Sequence, residues 1–186
     1  MAVSTMFRIS QRRAFRKLIG NSRGRLYRMA YAWTHNAHLA DDLVQQTLCK
    51  ALNSQRQLKD PGAAEAWLFR ILSNCLKDHH RAKREVLTGE ELVIVDSRTP
   101  EHETEEQQLV RKVRQAVQKL PEAQCQVITL VDLESFTYAS VSEILGIPVG
   151  TVMSRLCRGR RALREFLTDI RPEQGKDRIA NLTRVK

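Results

Sequence analysis

Residues 136–164, FTYASVSEILGIPVGTVMSRLCRGRRALR, decide how the chain is read. Tyr138 to Leu145 places Val141, Ile144 and Leu145 at helical spacing. Gly146 ends that helix, because glycine enters the left-handed conformation without a Cβ penalty. Ile147 plugs the space under the turn. Pro148 cannot continue a helix but opens one well. A second helix then runs from about Val149 through Leu163. Its apolar side carries Val152, Leu156, Gly159 and Leu163, and its outer side Thr151, Ser154, Cys157, Arg158 and Arg161. A buried inner face under a short, arginine-rich outer face is what a helix reading the major groove needs. The same pattern also fits an amphipathic hairpin with no nucleic-acid role, so the rest of the chain must choose.

The chain has 186 residues, room for one moderate domain or two small ones, and 42% hydrophobic residues, enough for real cores. Its formal net charge is +10. Residues 1–88 carry sixteen Lys/Arg against six Asp/Glu, residues 89–110 one against seven, and residues 111–186 fourteen against eight. Two basic blocks flanking an acidic one suit a polyanionic partner, nucleic acid before an acidic membrane surface. No apolar run approaches the ~18 residues of a membrane span. Arg8, Arg12, Arg13, Arg16 and Lys17 interrupt any signal-peptide core. The expectation is a cytoplasmic protein without membrane insertion. Cys49, Cys75, Cys125 and Cys157 lie far apart without metal-ligand spacing, and the five histidines form no metal signature. No metal and no cofactor are expected.

Periodicity predicts helices throughout. Residues 8–20 read as a basic amphipathic helix broken by Asn21, Ser22 and Gly24, with helix resuming over Arg25–Thr34. After a short connection, Leu39 to about Asn53 forms the next helix, with Asp41 and Asp42 expected in its first turn. Leu39, Leu43, Thr47 and Ala51 make its inner stripe; Asp42, Gln45, Gln46 and Cys49 make an outer one that lacks the usual Lys–Glu pairs. Residues 55–65 read as a loop turning at Pro61-Gly62. Trp67 then leads a long helix to about Glu85, basic on one side. Beside that loop, its mix of aromatic, amide and basic residues fits single-stranded nucleic acid, although the Trp67 ring itself fits a core position better. Leu87 to Thr104, with Gly89, Pro100 and most of the acidic block, reads as a linker. Helices follow over Glu105–Leu120 and Glu122–Leu133, then the helix-turn-helix. The expected fold is all-α: two small helical domains joined by an acidic linker, the second containing the helix-turn-helix.

Two segments together carry a family likeness. Residues 26–85, with LADDLVQQTL, AWLFRILSN and a basic run, resemble the second conserved region of bacterial sigma factors. Residues 117–167, with LPEAQCQVITL and IPVGTVMSRLCRGRRAL, resemble their fourth. The order, the spacing and the absence of a third region resemble the extracytoplasmic-function (ECF) group of the sigma-70 family. The resemblance implies a domain over 1–88 for core polymerase and the −10 element, a linker over 89–106, a −35 domain over 107–167 and a polar tail over 168–186.

The resemblance also implies roles. Asp41, Asp42, Gln45 and Gln46 would dock on the coiled coil of the polymerase beta-prime subunit, with the beta flap as a further contact. Lys59, in the loop, and Asn74, Lys77, Arg81 and Arg84 would hold the melted −10 strand. Thr151, Met153, Ser154, Cys157, Arg158 and Arg161 would face the −35 duplex, Thr151 and Arg161 toward phosphates. Partners implied are core RNA polymerase, promoter DNA and an anti-sigma factor. Met153 and Cys157 stand where many members carry polar or aromatic DNA-contacting side chains, Ser142 where alanine is usual, and Leu52 where tryptophan is common.

An alternative is a helix-turn-helix regulator acting without polymerase, which leaves the first 88 residues without a role. An enzyme is the weakest reading. Adjacent aspartates point in different directions on a helix, and no set of converging groups is visible.

Overall fold

The structure, a computed structural model, describes residues 2–58, 60–86 and 105–168. Among them there are seven α-helices and no strand. The all-α expectation holds, while the acidic linker, Lys59 and the tail from residue 169 lie outside the described residues.

Helix α1 runs unbroken over Ala2–Thr34, which corrects the break expected at Asn21, Ser22 and Gly24. Phe15, Ile19, Ser22, Leu26, Met29, Ala30 and Trp33 form one buried stripe through that stretch. A helical glycine costs about 1 kcal/mol relative to alanine. Burying a side chain such as Leu26 or Met29 returns about 1.5–3 kcal/mol, so tertiary burial wins. Ser22 satisfies its own hydroxyl by donating to the Leu18 carbonyl at 2.8 Å.

The turn after α1 is two residues long. His35 takes the left-handed conformation, φ 51°. Asn36 then caps helix α2, Ala37–Asn53, by accepting from the Leu39 amide at 3.0 Å. Because the cap is Asn36, Asp41 and Asp42 fall in the second turn of α2, not the first. Ala40, Leu43, Val44, Thr47 and Ala51 are its buried side. The segment expected as loop holds two short 3-10 turns, Gln55–Gln57 and Pro61–Ala63. Helix α3 therefore begins early and spans Ala64–Val86. Leu68, Phe69, Leu72, Cys75 and Leu76 face inward.

In the second unit, α4 is Glu105–Gln118 and α5 is Glu122–Ile128. A π-turn over Thr129–Leu133 widens the end of α5. Thr137 caps α6, Tyr138–Leu145, by accepting from the Ser140 amide at 3.1 Å. Gly146 closes α6 at φ 66°, and α7 runs over Val149–Thr168.

The two units pack on one another, and their buried residues form a continuous cluster from Phe15 to Leu156. α6 lies against α3, and α5 against α1. The Phe69 and Phe136 rings meet edge to face at 5.2 Å, and Cys125 Sγ donates to the Ala32 carbonyl at 3.2 Å. Burial, aided by the Glu122 charge, pushes the Cys125 thiol up to about 12, so it stays protonated and unreactive.

Candidate nucleic-acid interface

Three helices each bury one side and leave a polar face uncovered. On α2, Asp41, Asp42, Gln45 and Gln46 are all exposed. Asp41 lies 3.8 Å from Arg23 Nη2, with both side chains more than half exposed. Such a pair contributes less than about 1 kcal/mol. The side chains of Asp42, Gln45 and Gln46 have no partner among the described residues. The face is therefore hydrated and open to another molecule.

On α3, Asn74, Lys77, Arg81 and Arg84 lie exposed along one face. Arg81 contacts Asp78 at 3.1 Å, and Lys50 of α2 reaches the other oxygen of Asp78 at 3.2 Å. The hydrogen bond to Asp78 raises the Lys50 pKa. Asn74 and Arg84 have no side-chain partner among the described residues. Lys77 differs. Its Nζ donates to the Leu145 carbonyl at 2.5 Å, at the C-terminus of α6. Trp67 is half-buried, its ring 6.1 Å from that of Phe15, which places it at the edge of the core.

On α7 the division into two faces is sharp. Val152, Leu156 and Gly159 are buried. Gly159 lies so close to α5 that a Cβ there would stand 2.5 Å from Ile128 Cδ1. Met153, Ser154, Cys157, Arg158 and Arg161 are exposed and Thr151 is half-buried. Ser154 donates to the Thr151 carbonyl at 3.1 Å, and Arg158 Nε to the Ser154 carbonyl at 3.2 Å. An open groove of about 400 Å³ runs beside this face, between Tyr138 and the Met153, Cys157 and Arg161 side chains. The structure thus gathers five of the six candidates in an exposed row along one helix.

Some supporting residues carry no sequence signal as strong as these. Arg160 binds both oxygens of Asp132, at 3.1 and 2.5 Å, and ties α7 to the π-turn. That hydrogen bonding raises the Arg160 pKa. Ser142 donates to the Ile147 carbonyl at 2.5 Å and laces the turn between α6 and α7. A serine at a helix end beside a glycine turn was the available signal for it. No group of three or more metal-ligating side chains comes together among the described residues. No helix among them is long and apolar enough to cross a membrane.

The chain matches known proteins along both units. Residues 18–86 match the Sigma-70 region 2 family model, and residues 111–163 the model of Sigma-70, region 4. ECF RNA polymerase sigma factor SigW of Bacillus subtilis is 30% identical over 169 residues, covering 84% of this chain and 90% of that one. ECF RNA polymerase sigma factor SigE of Mycolicibacterium smegmatis is 32% identical over 156 residues. That match covers 81% of this chain but only 60% of the relative, less than two thirds of its length. The sigma factor RpoE of Bartonella quintana, solved in complex with the anti-sigma factor NepR, superimposes with a TM-score of 0.68 at 28% identity. It covers 85% of this chain and 99% of its own. Both regional models fall in order on the two helical units, and the chain therefore belongs to the extracytoplasmic-function group of the sigma-70 family.

Proposed function

We propose that this protein is a promoter-specificity subunit that joins core RNA polymerase, reads a −35 element as duplex with α7 and holds a melted −10 strand on α3. Residues 1–88 form the unit for polymerase and the −10 element, and residues 107–167 the unit for the −35 element. The observation that carries the reading is the α7 face, where Met153, Ser154, Cys157, Arg158 and Arg161 stand exposed over a side seated by Val152, Leu156 and Gly159. A rigidly seated helix with an uncovered polar and cationic row is the geometry of major-groove readout. The open face of Asp41, Asp42, Gln45 and Gln46 supports docking on the beta-prime coiled coil, with the beta flap as a second contact. Asn74, Lys77, Arg81 and Arg84 support capture of a single strand through its phosphates. Lys59 belongs to the same proposal by its place in the chain.

The chain supplies recognition, and phosphodiester chemistry belongs to the polymerase, so no cofactor enters. An anti-sigma factor is the proposed inhibitory partner, since the RpoE relative was solved with one. Run-off transcription with core polymerase over a genomic fragment library tests the proposal. Promoter-specific starts that need this chain support it, and unselective starts would reject it.

A further inference from the structure

We infer that Met153 and Cys157, with the Tyr138 ring, form a contact site for the C5-methyl group of a thymine in the −35 duplex, beside the pair met by Arg158. This deepens the proposed function and rests on α7 being the helix that enters the major groove.

The exposed face of α7 carries two rows. Successive residues on a helix stand about 100° apart, and side chains four positions apart share a face. Ser154 and Arg158 make one row, and they are linked, with Arg158 Nε donating to the Ser154 carbonyl at 3.2 Å. Val149, Met153 and Cys157 make the other, which carries no charge. Val149 is 38% exposed and Met153 50%. Tyr138 of α6, itself 36% exposed, lines the same open groove as Met153 and Cys157. Arg160 also lines it, but both oxygens of Asp132 hold that guanidinium. Arg161 and Arg164 are exposed along the same groove. A single exposed apolar side chain needs no explanation. An uncharged row among arginines, on the face turned to a polyanion, does.

The row selects its base by the hydrogen bonds it lacks. A thioether sulfur is a weak acceptor and a thiol a weak donor. Neither replaces the water on guanine O6 and N7, adenine N6 and N7 or cytosine N4. A polar edge stripped of water without a partner costs free energy. The C5-methyl of thymine is the apolar group that the major groove presents. Methionine is long, unbranched and polarisable, so its side chain adapts to such a group. The Tyr138 ring adds a flat apolar wall. The row begins in the first turns of α7, where a groove-reading helix meets base edges. The flanking arginines match the phosphates, which position the helix without reading sequence.

The test uses the holoenzyme of the full chain with core RNA polymerase. A −35 duplex is selected from a randomised library with wild type. Each thymine in it is then replaced singly by deoxyuridine, which removes only the methyl group. One thymine, or two in adjacent pairs, should respond. Binding there should weaken about fourfold, equivalent to ~0.8 kcal/mol for one carbon group returned to water at ~1.4 kcal/mol per tenfold. At the same pair, 5-methylcytosine should bind about fourfold more tightly than cytosine, which separates the methyl from the rest of thymine. Met153→Gln keeps the length of an exposed side chain and replaces its sulfur with an amide. It should bring the thymine-to-deoxyuridine ratio to about one, while preference at the other −35 pairs stays. A selected motif with no deoxyuridine-sensitive thymine, or equal binding of cytosine and 5-methylcytosine, would overturn the methyl site alone. So would a Met153→Gln variant that loses affinity for core polymerase without DNA and keeps the deoxyuridine effect, since Met153 would then be a protein contact. A wild-type holoenzyme that selects no −35 sequence would instead reject the α7 reading, and the inference with it.

Discussion

The indole nitrogen of Trp33 donates to the hydroxyl of Thr129 at 2.8 Å, in a buried hydrogen bond that joins residues 96 positions apart. Thr129 in turn donates to the Cys125 carbonyl at 2.8 Å, inside the π-turn that widens the end of α5. This bond ties the end of α1 to the region that aims the helix-turn-helix. Trp33→Phe removes the donor and part of the ring. The expected loss is about 1–3 kcal/mol of unfolding free energy. Urea denaturation of the full chain measures it, and an unchanged midpoint and slope would show that the bond contributes nothing.

Two glycines on exposed and buried helix faces should respond in opposite directions. A Cβ at Gly20 would meet nothing within 4 Å, whereas one at Gly159 would stand 2.5 Å from Ile128 Cδ1. Gly20→Ala should stabilise by about 0.5–1 kcal/mol through helix propensity. Gly159→Ala should destabilise by about 1–2 kcal/mol, because overpacking against α5 exceeds the propensity gain. Thermal melts compare them, and a stabilised Gly159→Ala would mean that α5 and α7 are not in close contact.

Asp42 stands exposed without a partner on α2 among the described residues. Asp42→Arg should leave helicity unchanged and weaken binding to core polymerase by at least about tenfold, through a charge reversal on the proposed docking face. Titration of labelled core polymerase reads this directly. Wild-type affinity would remove α2 from the interface.

Arg158 and Arg161 should separate specificity from positioning. Arg158 can offer two donors to guanine O6 and N7, a pair of acceptors no other base presents. Arg158→Ala should cost roughly 1–3 kcal/mol and relax preference at one −35 base pair. Arg161→Ala should weaken all promoters alike and lower the salt dependence by about one unit. Selection from a randomised −35 library decides this. An unchanged preference at every position would show that Arg158 reads no base.

Burial lowers the pKa of His35 below its ordinary 6.5, so the folded chain favours the neutral ring. Near that pH the unfolded chain binds more protons, and stability rises with pH. The contribution is complete above about 6.5 and is lost as pH falls through the depressed folded pKa. His35→Asn keeps a residue tolerant of the left-handed turn but removes the titration. The urea midpoint of wild type relative to His35→Asn should fall between about pH 7.5 and about pH 5.5. A gap independent of pH would contradict the half-buried neutral ring.

What was legible in the sequence follows from range. The Gly146 turn and the two faces of α7 rest on residues a few positions apart, and local pattern carries them. The outer row of α2 was found in the same way, though Asn36, a sound cap, was overlooked and shifted Asp41 and Asp42 by a turn. The continuity of α1 was not legible at Asn21, Ser22 and Gly24, because the burial that sustains it comes from partners elsewhere in the chain. Likewise nothing near Lys77 announces that Leu145 will occupy it, and nothing near Arg25 points to Glu134, which is 109 residues away. The seam between the units is made wholly of such long-range pairs.

The most direct test of promoter selection by this chain is run-off transcription with core RNA polymerase over a genomic fragment library, with and without the protein. The account predicts discrete start sites that appear only when the chain is added, sharing one duplex motif near −35 and one melted motif near −10. It also predicts that Arg158→Ala and Asp42→Arg each reduce them. Start sites unaffected by the chain, or tight binding to the same fragments without core polymerase, would contradict it.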